Sequence, residues 1–277
     1  MNFCVFKACT LPAVAAIHQR MLSQFGMVAR LHSDPLNIHA RNILTTARSS
    51  SKSWFLQIRD ICLMYQLPHP LRILDNPPSK GSFKKLVKTK IINYWEIKLR
   101  GEAILLTSLL HFKPQYMNLT KPHPIWSTAG SNPYEISKAI QQARFLSGRY
   151  RTQSLASHWS ANKSSYCLSP TCSQEVETID HVLLNCQAYN ECKGRLYSLW
   201  LSSQNQIVYQ LVLEAFSSTQ EYLLQFILDC SVLPSVIKAT QTQQGKEILS
   251  ELFYLTRTWC FSVHKQRMKM IGRWNFQ

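Results

Sequence analysis

The sequence predicts a mainly α fold, with helical subdomains around an embedded Cys-Cys-His-Cys zinc knuckle. Three observations predict it. Apolar residues recur at helical spacing through most of the chain, and strict apolar–polar alternation is rare. Glycine is scarce, at 8 of 277 residues. One stretch, Tyr166 to Tyr189 (YCLSPTCSQEVETIDHVLLNCQAY), carries Cys167, Cys172, His181 and Cys186 in the pattern C-x4-C-x8-H-x4-C. With 45% hydrophobic residues, the chain can bury a core in one domain or two. Four segments follow: an N-terminal helical segment (1–78), a basic helical segment (79–163), the knuckle (164–189) and a C-terminal helical segment (190–277).

In order, residues 1–10 (MNFCVFKACT) suggest no element. Cys4, Cys9 and His18 repeat the C-x4-C-x8-H spacing, but Ser23 stands where a fourth ligand belongs, so the repeat is a coincidence. From Leu11 to Leu31, Val14, Ile17, Met21, Phe25 and Val28 make an apolar helical stripe, with Arg20 and Arg30 outside it. Ser33-Asp34-Pro35 starts a second helix running through Ala47, because Ser or Asp caps and Pro suits the first turn. Ser51 or Ser53 caps a third through Trp54, Ile58, Ile61 and Tyr65, which Pro68-His69-Pro70 and Asn76-Pro77-Pro78 end.

Residues 79–110 are the most basic element. Lys80, Lys84 and Lys88 line one helical face with Lys85 and Lys90 nearby, and Phe83, Val87, Ile91 and Tyr94 form the stripe behind. Such a face suits a phosphate backbone, and equally suits plain solvation. After a Pro- and aromatic-rich connector, Asn132-Pro133-Tyr134-Glu135 opens a helix that Gly148 closes. Arg144, Arg149 and Arg151 then surround Tyr150. They can grip phosphates while the ring stacks on a base, or the ring can pack beneath the knuckle.

Three thiolates and an imidazole are the ligand complement of a closed, structural zinc site, although three buried thiols and a satisfied histidine would give the same residues. Ser169-Pro170 supplies a turn between the first two cysteines, and Thr178 caps a short helix presenting His181. Residues five apart on an α-helix are roughly 140° out of line, so the chain must loosen before Cys186. From Cys167 to Cys186 there is no Lys or Arg, but Glu175, Glu177 and Asp180 are present. The metal therefore pins its basic flanks, which include Lys163, Lys193 and Arg195, instead of meeting phosphate itself. Helices at 189–245 follow, with Leu196, Leu199, Trp200, Leu211, Leu213, Phe216, Leu223, Phe226 and Ile227 as their apolar residues. Pro234 opens another, and Cys192 and Cys230 read as core thiols. The last helix, 246–271, has Ile248, Leu252, Leu255, Trp259 and Val263 on one face and ends in a basic tail of His264, Lys265, Arg267, Lys269 and Arg273 beside Trp274, where Lys265, Arg267 and Lys269 can reach nucleic acid or simply be solvated.

Charge narrows the partner class. Residues 1–166 carry 22 Lys/Arg against 6 Asp/Glu (+16), residues 167–245 carry 3 against 7 (−4), and residues 246–277 carry 6 against 2 (+4). An excess of that size and sign points to nucleic acid, RNA or DNA, with an acidic protein as the other possible partner. The nine cysteines do not read as a secreted disulfide framework. No signal peptide or uncharged run long enough to cross a bilayer is expected, so a cytoplasmic and nuclear location without membrane contact follows.

The Cys-Cys-His-Cys set, ending in a His, three apolar residues, one more and a Cys, with a short Gln-Ala-Tyr tail, resembles the zinc-binding region after the polymerase domain of non-LTR (LINE-type) retrotransposon reverse transcriptases. The upstream run FLSGRYRTQSLASHW (145–159) resembles the flank of that region, and 66–87, 127–139 and 251–274 are similar more loosely. The likeness spans most of the chain from about residue 11. It implies a C-terminal piece that holds template RNA or target DNA during target-primed reverse transcription, next to the polymerase domain of the same element. It does not carry catalysis over. The family's polymerase uses metal-binding aspartates, including an adjacent pair, whereas Asp34, Asp60, Asp75, Asp180 and Asp229 are all isolated. No nucleophile arrangement or phosphate-cradling glycine loop stands out either. The reading is a binding module and not an enzyme. The alternative is a remnant or domesticated helical protein acting through protein contacts.

Overall fold

The computed structural model describes residues 11–46, 52–160, 162–172 and 174–274. It is mainly helical, and the described residues contain no β-strand, only an isolated antiparallel bridge between Tyr166 and Val176. The chain divides into two compact units: one runs to Glu102 and includes Met117–Lys121, and the other comprises Ala103–Tyr116 and the chain from Pro122 onward.

In the first unit, α1 (Ala13–Arg30), α2 (Pro35–Thr46), α3 (Trp54–Met64) and α4 (Pro70–Asp75) pack on one another, and the long α5 (Lys80–Ile104) meets them through Phe83 at Gly26 and Trp95 at Tyr65. The expected starts hold where they are described. Asp34 Oδ1 accepts from the Leu36 N–H at 2.7 Å, and Ser53 caps α3. Ser51, Ala47 and the Cys4/Cys9 repeat lie outside the described residues. The face of α1 is rotated from the expected one. Val14 and Ile17 are exposed, while Ala15, Leu22, Phe25, Gly26, Val28 and Ala29 are buried. Gly26 lies on the buried face, where a Cβ would stand 2.6 Å from the Phe83 ring, so a side chain there would force that ring to move. On α5, Phe83, Val87 and Ile91 are buried as expected, but Trp95 and Leu99 continue the stripe where Tyr94 was expected. Trp95 is held there by donating its indole N–H to the Tyr65 hydroxyl at 3.1 Å. Lys80, Lys84, Lys85 and Lys88 are all exposed.

The second unit is arranged around α13 (Gly245–Trp274), whose Ile248, Leu252, Leu255, Trp259 and Val263 are buried as the periodicity predicts. Packed on it are α7 (Pro133–Leu146), α9 (Asn190–Leu201), α10 (Gln206–Ser217), α11 (Gln220–Asp229) and α12 (Pro234–Thr240); α6 (Pro124–Ser127) and α8 (Gln153–Trp159) complete the unit. Asn132 caps α7 and Gly148 ends it at φ +61°. A Cβ on Gly148 would also sit 2.0 Å from the Ser108 carbonyl oxygen, so two requirements fix glycine there. Trp200, Phe226, Ile227 and Cys230 are core, whereas Leu199 is exposed and Cys192 half-buried. One stretch, Gln220–Thr240, is long and apolar enough to span a membrane, with mean hydropathy 1.4. It is broken by a 3-10 turn at Cys230–Val232 and by Pro234, and 56% of it is buried within the protein.

This unit also buries charge. Asp229 bonds His123 Nε2 at 3.1 Å, and Arg257 donates to Thr128 Oγ1 at 2.6 Å with the Glu135 carboxylate at 3.5 Å. Gln142 donates to the Ile227 and Leu228 carbonyls and to Thr256, fastening α7 to α11 and α13.

Candidate functional site

The cysteine–histidine segment folds as two turns that face each other. Residues 165–177 form a small hairpin in which the Cys167 N–H donates to the Glu175 carbonyl (2.8 Å) and the Glu177 N–H to the Ser165 carbonyl (2.9 Å). Pro170–Cys172 makes the expected turn, closed by the Cys172 N–H on the Ser169 carbonyl at 3.0 Å. Thr178 Oγ1 accepts from the His181 N–H, the expected cap. The loosening before Cys186 takes a specific form: His181–Asn185 is a π-turn, closed by the Cys186 N–H on the His181 carbonyl at 2.7 Å. An i→i+5 bond sets residues five apart nearly one above the other, which an α-turn does not do.

The ligand atoms of Cys167, Cys172, His181 and Cys186 all lie within 4.8 Å of one another, and all four residues are buried. The group could hold a metal ion. His181 indicates which atom would face it. Its Nδ1 bonds the Glu175 carboxylate at 2.8 Å, while Nε2 is buried without a hydrogen-bond partner. A carboxylate that orients a histidine through one nitrogen and leaves the other for a metal is the usual supporting arrangement. The thiols are polarised as well. The Cys167 and Cys186 sulfurs lie 3.8 Å apart and share a hydrogen bond, which lowers the pKa of Cys167 and raises that of Cys186. The Ser169 N–H also points at the Cys167 sulfur, at 3.4 Å. Sulfur in this nest is disposed to carry negative charge.

The cluster is tied to the rest of its unit through buried polar contacts. Trp259 on α13 donates its indole N–H to the Leu183 carbonyl in the π-turn at 3.2 Å. Glu177, 1% exposed, bonds Arg267 of α13 at 2.6 Å and accepts the Gln153 N–H that starts α8 at 2.8 Å. Burial alone would lower the Arg267 pKa, but the Glu177 carboxylate outweighs it and holds the guanidinium above its ordinary value. Tyr150 lies against the same arginine, with the guanidinium carbon 5.5 Å from the ring centre. It stacks on Phe145 and bonds His264 Nδ1 at 3.1 Å, and burial pushes its phenol to about 12.

Three expected nucleic-acid contacts are therefore corrected. Tyr150 is 4% exposed and cannot stack a base, because Phe145 already covers its ring. Arg267 is 4% exposed and its partner is an internal carboxylate. Lys193 donates to the Leu184 and Cys186 carbonyls at 2.6 and 2.9 Å, satisfying the end of the π-turn. The cluster is thus held on two sides, by α13 through Trp259 and Arg267 and by α9, the helix of Lys193 and Arg195, through Lys193. Arg195 is exposed and ion-paired with Glu191.

Other expected residues do come together. Arg144, Arg149, Arg151 and Lys163 are exposed and line one cleft of about 900 Å³, with Tyr150, His264 and Arg267 beneath them. Among the described residues, no Asp or Glu lines that cleft. Burial, then Arg144 and Arg267, lower the His264 pKa, so this histidine favours its neutral form. Lys265 and Lys269 are exposed on α13, Arg273 and Trp274 lie beyond the described side chains, and the α5 lysines belong to the other unit. Sequence reading noted Glu175 and Glu177 only as acidic residues. The available signal was their placement beside metal-type ligands in an otherwise basic chain, where a carboxylate supports a histidine or balances a buried cation.

No protein-family model, curated protein or solved structure matches this chain.

Proposed function

We propose that the protein is a nucleic-acid-binding module whose binding cleft is organised by a structural zinc ion on Cys167, Cys172, His181 and Cys186. The observation that carries the reading is the cleft itself: Arg144, Arg149, Arg151 and Lys163 converge with no acidic residue among them, and its floor is tied through Arg267 and Glu177 to the ligand-bearing hairpin. Three sulfurs and one nitrogen favour zinc over oxygen-seeking cations, and a four-ligand set leaves no open position for a reacting molecule. Zinc would add folding free energy and clamp the two turns together. Glu175 holds the imidazole in register, Lys193 sits close enough to Cys186 and Cys172 to offset thiolate charge, and Glu177 passes the hairpin's position to α8 and α13. The cleft residues grip phosphates. In this reading the chain holds template RNA or target DNA for a reverse transcriptase of the LINE type and has no catalytic step of its own.

The test measures metal content by mass spectrometry in the wild type and in Cys172→Ser, with RNA and DNA binding titrated against salt in the same preparations. One zinc per chain, lost in the variant together with salt-dependent binding, is expected. Zinc without salt-dependent binding would leave the second reading, a zinc-stabilised helical protein acting through protein contacts. Absence of zinc from the wild type would remove the cofactor from the proposal.

A further inference from the structure

Two large aromatic side chains lie within a few residues, along the chain, of residues that line the basic cleft, with much of their surface in water. Trp159 is 74% exposed and Tyr166 is 51% exposed. Trp159 ends α8, between two stretches that line the cleft, one containing Gln153 and Ala156 and the other containing Asn162, Lys163 and Ser164. Tyr166, which makes the isolated bridge with Val176, sits between Ser164 and Leu168 in the chain, and both of these line the cleft. A tryptophan left this exposed would bury about 150–250 Å² of ring surface if it were covered, and the cationic residues beside it select an anionic partner.

From this juxtaposition we infer that the cleft takes single-stranded nucleic acid, with its backbone on Arg144, Arg149, Arg151 and Lys163 and two unpaired bases stacked on Trp159 and Tyr166. The inference rests on the proposed nucleic-acid function and narrows it. A duplex hides its base faces and can use only the cationic residues, whereas a single strand offers phosphates and faces together. The stacking role assigned from sequence to Tyr150 passes to these two residues, because Tyr150 is already stacked on Phe145.

The experiment uses the full chain with zinc and three probes labelled at one end: oligothymidylate and oligouridylate of about 16 nucleotides, and a duplex of equal length. Trp159→Ala and Tyr166→Ala are compared with the wild type and with Trp159→Phe. Both residues are exposed, and circular dichroism with metal content verifies that each variant folds. Each alanine variant is expected to weaken both single strands about tenfold, leave duplex affinity unchanged, and leave the slope of affinity against salt unchanged. Trp159→Phe should recover most of the loss. The DNA and RNA probes separate the two sources of a single strand. Equal binding by wild type and alanine variants, or equal losses on duplex and single strand, overturns the inference while leaving the broader function standing. No salt-dependent binding by the wild type overturns both.

Discussion

The two units of this protein handle charge in opposite ways. In the first, charge stays at the surface: Lys80, Lys84, Lys85 and Lys88 of α5 are exposed and the Arg41–Asp75 pair is roughly half in water. In the second, charge enters the interior, as Glu177 with Arg267, Asp229 with His123 and Arg257 beside Glu135. Surface charge on a regular helix contributes little to stability and is read directly from periodicity. Buried charge must meet its partner, and breaking such a pair is far more damaging than the pair is stabilising. The lesson is that a cation's sequence neighbourhood indicates its role only when its partner is equally near.

That contrast can be broken experimentally, and the largest effect should come from the Cys167, Cys172, His181 and Cys186 cluster. Cys172→Ser or chelation is expected to raise amide hydrogen exchange strongly across 150–189 and in α13, and to leave α1–α4 unchanged. Uniform loosening of both units would show that the division is not energetic. Next come the buried ions. Glu177→Gln leaves Arg267 buried without its counter-charge, which should cost about 3–5 kcal/mol in denaturant unfolding; the double change Glu177→Met with Arg267→Met should recover part of that.

Acid provides a third probe. Burial raises the Asp229 carboxyl, but His123 and Ser231 outweigh it and hold its pKa below the ordinary carboxylate value. A folded pKa below the unfolded one gives stability that is present above about pH 4 and lost as pH falls through the folded value. The stability difference between wild type and Asp229→Asn should therefore shrink in acid.

A smaller effect, on binding, comes from Arg149→Gln with Arg151→Gln. The slope of log affinity against log salt for a single strand should fall by about 0.7 for each phosphate contact removed. The smallest concerns the first unit: Lys84→Gln with Lys88→Gln should shift unfolding by no more than about 0.5 kcal/mol.

Much of this was legible locally. The caps at Ser53, Asn132 and Thr178 act on N–H groups two or three residues away, and the ligands of the metal-type cluster fall within one hairpin and one turn. What escaped the sequence depends on distant partners. Arg267 looked like part of a solvated tail because its carboxylate lies 90 residues earlier. The sequence leaves Tyr150 open between stacking a base and packing beneath the knuckle, because the choice is made by Phe145 and by His264 on α13. The buried face of α1 includes a close approach of Gly26 to Phe83, a contact that a periodic reading of α1 alone does not contain. Trp159 was visible as a residue, but its exposure is a property of what fails to cover it.

The π-turn at His181–Asn185 acts as a ruler cut to a single length. Its closing bond joins the backbones of the same two residues whose side chains complete the ligand set. Substitutions among the four intervening residues can be accommodated by repacking, but adding or deleting even one of them moves Cys186 out of phase with His181 while leaving every ligand present in the sequence. Over evolutionary time this interval should therefore tolerate changes of letter far better than changes of length.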